Sequence, residues 1–267
     1  SSFATASAAG GAALIYYNTD GNITVSGTGD AFVFTQNAAT ATATSAGSTA
    51  IANAMGGALF VGSGTTGTVS VGLSSASFSS NSAKAYSYTT GGSSSSTANA
   101  QGGAIYIDHG NNAVIGGSSA SVTFTTNAAE AYANVSGAAT GSAYAYAEGG
   151  AVFTQIQTSL SVTNATFTQN NVSSNAQSAS SSSISLAAGG AIFAADGNGT
   201  STTASALTIS NCTFGNASSY SSNANYANAR ASVGTVSAKG GAVYLGDYYV
   251  SLAVTSSNFY GNYTVSY

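Results

Sequence analysis

Two short motifs alternate along almost the whole chain, and their regularity restricts the fold more than any other feature. The first is a Gly-Gly-Ala-aliphatic-aromatic run whose glycine pairs begin at Gly10, Gly56, Gly102, Gly149, Gly189 and Gly240, in steps of 46, 46, 47, 40 and 51 residues. The second, Phe-x-x-Asn, joins Phe34 to Asn37, Phe78 to Asn81, Phe124 to Asn127, Phe167 to Asn170 and Phe259 to Asn262, with a shorter copy at Phe214-Gly215-Asn216. Self-similarity at a fixed period is the mark of a solenoid, in which each repeat buries its apolar face against the next. Two-helix repeats would need apolar residues every 3.6 positions. Here Ala-Glu-Ala-Tyr-Ala at 129–133 and Ser-Ala-Tyr-Ala-Tyr-Ala at 142–147 alternate with period two, which is the strand signature. The chain is therefore read as all-β: a single-stranded right-handed parallel β-helix, or β-solenoid, forming one domain over residues 1–267. The two motifs alternate at 18 to 26 residues, about half the repeat. Since that is enough chain for one coil, two rungs per ~46-residue repeat and about 11–12 rungs in all are expected.

Stacked coils place equivalent residues about 4.8 Å apart, so identical side chains form ladders. By strand alternation Leu59, Ile105, Val152, Ile192 and Val243 share one face, assigned to the core. A second core column is Phe34, Phe78, Phe124, Phe167, Phe214 and Phe259. The neighbours Phe60, Tyr106, Phe153, Phe193 and Tyr244 fall on the opposite face and are expected as an exposed contact column spaced about 9.6 Å, two rungs apart. Asn37, Asn81, Asn127, Asn170 and Asn262 stand where the chain must bend, so their amides can bond bend carbonyls or each other. The glycine pairs supply positive φ. The absence of proline suits strands bonded on both sides.

Charge separates an assembly module from an ordinary soluble globule. Only three Lys and Arg and seven Asp and Glu are present, 4% of the chain, with a net charge of −4; a globular domain carries about a quarter charged residues. Three cations form no patch for phosphate backbones or anionic lipid, which excludes nucleic-acid and membrane-surface binding. No stretch reaches the roughly 18 apolar residues of a membrane span. The one cysteine, Cys212, makes neither a disulfide framework nor a thiolate metal site and reads as a small buried apolar residue.

Gly56-Gly57-Ala58-Leu59, Gly102-Gly103-Ala104-Ile105, Gly149-Gly150-Ala151-Val152, Gly189-Gly190-Ala191-Ile192 and Gly240-Gly241-Ala242-Val243, alternating with the Phe-x-x-Asn copies, resemble the polymorphic membrane protein repeats of chlamydial surface adhesins. The resemblance covers nearly the whole chain; Gly10-Gly11-Ala12-Ala13 is an imperfect copy. It implies a β-helical passenger that projects from a cell surface and adheres.

Chemistry at a solenoid groove would need paired carboxylates or a base with charge-neutralising partners. The nearest candidate is Asp108-His109, with Asp196 and Asp247 at similar offsets in later repeats; all read as solvated turn residues. No catalytic group, metal or cofactor is expected. Lys84 and Glu130 both lie six residues after their Phe, a column read as a weak, screened attraction at about 9.6 Å. An ice-binding Thr row is not sustained: Thr40, Thr42 and Thr44 give way to Lys84, Tyr86 and Tyr88, then to Glu130, Tyr132 and Asn134. Asn22, Asn134, Asn164, Asn171, Asn198 and Asn211 head Asn-x-Ser/Thr sequons and are candidate N-glycosylation sites, which would hydrate a surface poor in charge. Placing Tyr267 against Ser1 of a second copy leaves 18 residues between Phe259 and the next Gly10, close to the 22 to 26 found inside the chain. The expected function is an extracellular structural protein, a β-helical subunit of a surface fibre or coat assembling head to tail with itself or with other fibre proteins. The alternative is a cell-surface adhesin binding a host receptor or glycan.

Overall fold

A computed structural model describes residues 3–15, 23–25, 32–62, 67–71, 75–90, 94–108, 111–118, 121–136, 140–155, 159–179, 182–195, 206–218, 222–246 and 251–267. The first coil contains β1 (Ala4–Ala9), β2 (Ala13–Ile15), β3 (Ile23–Val25), β4 (Phe32–Thr35) and β5 (Ala38–Ser45), after which β6 (Thr49–Met55) stacks on β1. Repetition of this coil makes five parallel sheets, each six strands deep among the described residues. They are named below by their first strand. No helix occurs among the described residues.

The strand register corrects the expected rung count. Ala4 pairs with Ala50, Ala52 with Ala98 and Ala98 with Ala145, so a whole repeat, not half of one, closes each coil. The Phe column says the same: Phe34 and Phe78 stack with ring centroids 4.8 Å apart and planes 4° from parallel, one strand spacing rather than two. The repeat therefore contributes one long coil of five strands. The two motifs are opposite walls of that coil, not equivalent points on successive coils.

They meet at a waist. At Gly103 a Cβ would sit 2.0 Å from the carbonyl oxygen of Gly150 and 2.6 Å from the backbone of Ala128, the residue after Asn127. Gly57 and Gly150 are enclosed in the same way, against the coil above and against Ser82 or Asn171 across the coil. Glycine is required because two backbones touch there. On the other side of the waist the residue before the asparagine is left-handed in the first four coils: φ is 58° at Gln36, 56° at Ser80 and 57° at Thr126 and Gln169.

The waist divides each coil into two lobes. The larger, enclosed by the β2, β3 and β4 sheets, holds Leu59, Ile105, Val152 and Ile192 with Phe78, Phe124, Phe167 and Phe214, all buried. Val243 and Phe34 are partly buried against it, and Phe259 is exposed on the last coil. The smaller lobe lies between the β1 and β5 sheets. Its cluster is alanine except for Val135 and Val172, and Cα atoms of the two sheets come within 8 Å, closer than the roughly 10 Å of ordinary face-to-face sheets. Its remaining inward positions include serines that bond locally: Ser87 Oγ donates to the Ala50 carbonyl at 2.8 Å, and Ser96 Oγ donates to the Ser87 carbonyl at 2.8 Å.

Candidate functional site

Alternation along the β5 sheet turns alanines inward and polar or aromatic residues outward. In its second strand, Ser82–Thr90, the outward residues are Lys84, Tyr86 and Tyr88; in its third, Ala128–Ser136, they are Glu130, Tyr132 and Asn134. The register puts Lys84 beside Glu130, Tyr86 beside Tyr132 and Tyr88 beside Asn134. Lys84 Nζ lies 3.2 Å from Glu130 Oε2, with both side chains about one-third exposed. The pair is thus in contact on neighbouring strands rather than 9.6 Å apart, because one coil separates them; at that exposure its worth is about 0–1 kcal/mol.

The next strand, Asn171–Ser178, carries the small or amide residues Ser173 and Asn175 below Glu130 and Tyr132, and the strand after it, Tyr226–Ala231, begins with an aromatic ring. This step from large to small and back leaves a shallow hollow of about 390 Å³ lined by Tyr86, Glu130, Tyr132, Asn171, Asn175 and Tyr226 among others. Its rings are held in place. Tyr132 OH donates to Gln177 Oε1 at 2.9 Å, its ring lies 5.7 Å from that of Tyr88, and Tyr226 stacks on Tyr263 at 5.4 Å. Burial, and then the nearby Tyr263 and Glu130, push the Tyr226 phenol above its ordinary pKa, so it stays a neutral donor at physiological pH. The Oδ1 of Asn175 is withdrawn from solvent and has no hydrogen-bond partner, which costs about 1–3 kcal/mol unless something supplies a donor.

The column expected to be exposed is not. Phe60, Tyr106, Phe153 and Phe193 are at most 5% exposed and form a continuous stack with centroids 4.9 to 5.3 Å apart; Tyr244 ends it, tilted and partly buried. They do face outward from the β2 sheet. The chain folds back at the glycine pair, however, so the outer faces of the β1 and β2 sheets meet in a concave elbow where Ala9, Met55, Leu186 and Ala188 cover the rings. Tyr106 OH reaches Gln155 Oε1 at 2.5 Å, and burial above all, then Asp108 and Glu148, raises its pKa. At the last coil Lys239 Nζ lies 5.2 Å over the Tyr244 ring.

The asparagines are joined in one run of hydrogen bonds. Asn81 Nδ2 donates to Asn127 Oδ1 at 3.0 Å and to the Phe34 carbonyl at 2.9 Å, while the Asn81 backbone N–H donates to Asn127 Oδ1 at 3.1 Å. The pattern continues from Asn37 through Asn127 and Asn170 to Asn225 and Asn262. Asn225 is a member that sequence reasoning missed. Extra residues after the short Phe214-Gly215-Asn216 copy displace it, but Asn225-Tyr-Ala-Asn-Ala repeats the Asn-x-Ala-x-Ala run that follows Asn81 and Asn127.

Of the sequon asparagines, Asn134 and Asn171 are partly buried on the same outer face as the hollow. Asn164 and Asn211 lie at a left-handed corner, φ 52° each, where Asn211 Nδ2 donates to Asn164 Oδ1 and Asn164 Nδ2 donates to the Gly117 carbonyl. Asn22 and Asn198 fall outside the described residues, as do His109, Asp196 and Asp247. Among the described residues no group of three or more His, Cys, Asp and Glu is close enough to hold a metal. Cys212 is buried, its thiol donating to the Ser210 carbonyl at 3.2 Å, and burial raises its pKa, the reverse of what a nucleophile needs. No protein-family model, curated protein or solved structure matches this chain.

Proposed function

We propose that this protein is an extracellular structural element, a β-helical subunit of a surface fibre or coat that grows by stacking coil on coil, and that it performs no catalysis. The coil is taken to wind right-handed, the hand of nearly all parallel β connections. The observation that carries the reading is that every coil presents the same ladder to its neighbours, Phe on Phe and Asn on Asn in register, so that coil upon coil is how this fold buries its core. Leu252, Val254 and Phe259 are 48%, 42% and 46% exposed, whereas Leu207, Ile209 and Phe214, which pair with them one coil inward, are 1%, 0% and 0% exposed. In the first coil Phe32, which pairs with the buried Ala76, is 39% exposed. These are core positions, which a neighbouring coil on both sides covers and a neighbour on one side alone does not. Open strand edges invite such pairing, and ten charged residues in 267 oppose it weakly. The motif resemblance to chlamydial polymorphic membrane protein repeats agrees with a surface location.

Electron microscopy of the protein over a range of concentrations tests this. Head-to-tail stacking predicts filaments that lengthen with concentration and show an axial repeat of about 29 Å, six coils at ~4.8 Å each. Separate rods at every concentration would overturn stacking and favour the surface-adhesin reading.

A further inference from the structure

The hollow on the β5 sheet joins aromatic walls, a carboxylate and an amide oxygen without a partner. Tyr86 and Tyr132 stand on one side, Tyr226 on the other, and Glu130, Asn171 and Asn175 between them. Glu130 uses Oε2 for its ion pair with Lys84, which leaves Oε1 as an acceptor and makes the site close to neutral. Asn175 Oδ1 is buried and unsatisfied, and so is Asn228 Oδ1, which lies beside Ser173 in the next strand of the same face. A ligand that fits brings hydroxyls for the carboxylate and amides that line the hollow and C–H surface for the electron-rich faces of phenol rings, and no net charge.

We propose that this hollow binds one pyranose unit of a neutral polysaccharide. A pyranose has the required character on two sides: its axial C–H groups can lie on one of the rings, Tyr132 or Tyr226, with the neighbouring unit of the chain against the other, while its equatorial hydroxyls donate to Glu130 and exchange hydrogen bonds with the Asn171 and Asn175 amides. The volume, about 390 Å³, is at the lower end of small-ligand sites. The site is independent of head-to-tail stacking, since its residues lie on the side of the solenoid, two or more coils from the first strand of the sheet in the case of Glu130, Tyr132 and Asn175.

The test is calorimetric titration of the protein with three soluble neutral hexasaccharides: β-1,4-linked glucose, β-1,4-linked N-acetylglucosamine and α-1,6-linked mannose. Saturable binding of at least one is expected. Tyr132→Ala and Tyr226→Ala should each weaken it about tenfold or more, the loss of a stacking contact, and Asn175→Ala several-fold. Tyr144→Ala, on the outer face of the β1 sheet, should leave it unchanged. These side chains point away from both cores, and circular dichroism checks that each variant keeps its strands. Should an alanine variant unfold, Tyr132→Phe and Glu130→Gln replace it, the first retaining stacking and the second removing the carboxylate charge. Absence of binding by all three sugars at millimolar concentration overturns the proposal. So does binding that the Tyr132 and Tyr226 variants leave intact, or a finding that these variants change only the association of the protein with itself.

Discussion

Within a single coil the lobe beyond the waist and the lobe before it are built from opposite materials. The former packs stacked phenylalanines with Leu, Ile and Val; the latter packs alanine against alanine. Both exclude water and both repeat every coil, yet their tolerances differ in sign. Removal of atoms harms the phenylalanine lobe by opening a cavity. Addition of atoms harms the alanine slot by forcing apart two sheets whose Cα atoms come within 8 Å. Small side chains also bury little apolar area each, so the slot relies more heavily on its strand ladders. Side-chain volume alone thus shapes the cross-section, wide where aromatics alternate inward and flat where alanines do.

The sharpest way to break this comparison is at the waist that separates the lobes. Gly103→Ala places a methyl 2.0 Å from the Gly150 carbonyl oxygen and 2.6 Å from the Ala128 backbone, and no flexible side chain is there to move aside. Thermal and urea denaturation followed by circular dichroism should show a loss of at least about 4 kcal/mol, or no folding, which belongs to the extreme tail of single substitutions. A loss below about 1 kcal/mol would mean the two walls are not in contact and the two-lobe description fails.

A matched pair then sharpens it. Phe124→Ala should cost about 3–5 kcal/mol, because Phe124 is fully buried between Phe78 and Phe167, at 4.9 and 4.7 Å. Ala145→Leu should cost about 1–3 kcal/mol by overpacking, since Ala145 is fully buried with Ala98 and Ser185 directly above and below it. The same measurement serves both. If Ala145→Leu stabilises the protein, the slot holds unfilled space and alanine is not a steric requirement.

How much of this was legible in the sequence follows from what periodicity encodes. Recurrence of Gly-Gly-Ala and Phe-x-x-Asn marks which residues are equivalent, so the core columns and the asparagine run could be assigned by number. Periodicity does not say how many turns one repeat makes. The informative sign was composition: Ala39, Ala41 and Ala43 turn inward on one run and Ala50, Ala52 and Ala54 on the next. Two such runs with nothing larger between them are facing walls of one coil. Tyr106 and its column were placed on the outer face by alternation, but the fold back at the glycine pair that buries them is not a local property of the strand. The hollow beside Tyr132 was hidden for a related reason: it arises from the step between Glu130 and Ser173, and from Tyr132 to Asn175, in neighbouring coils, which only the register reveals.

The smallest expected effect concerns the waist's other wall. Gln36, Ser80, Thr126 and Gln169 hold left-handed φ, while the equivalent position of the last coil is Gly261, φ 62°. A left-handed L-residue costs roughly 1–2 kcal/mol, and a β-branched one is the least suited to it. The asparagine run offsets that cost in each coil: Asn127 gives two amide hydrogen bonds and its Oδ1 accepts two more. Thr126→Gly relieves the strain while loosening the unfolded chain, which takes back part of the gain. A net stabilisation of about 0.5–1 kcal/mol is expected, read as a raised denaturation midpoint. Destabilisation instead would show that Thr126 contributes through its contacts, its hydroxyl donating to Gln169 Oε1 at 3.1 Å, and that the wall opposite the glycines is held by side chains as well as by the asparagine run.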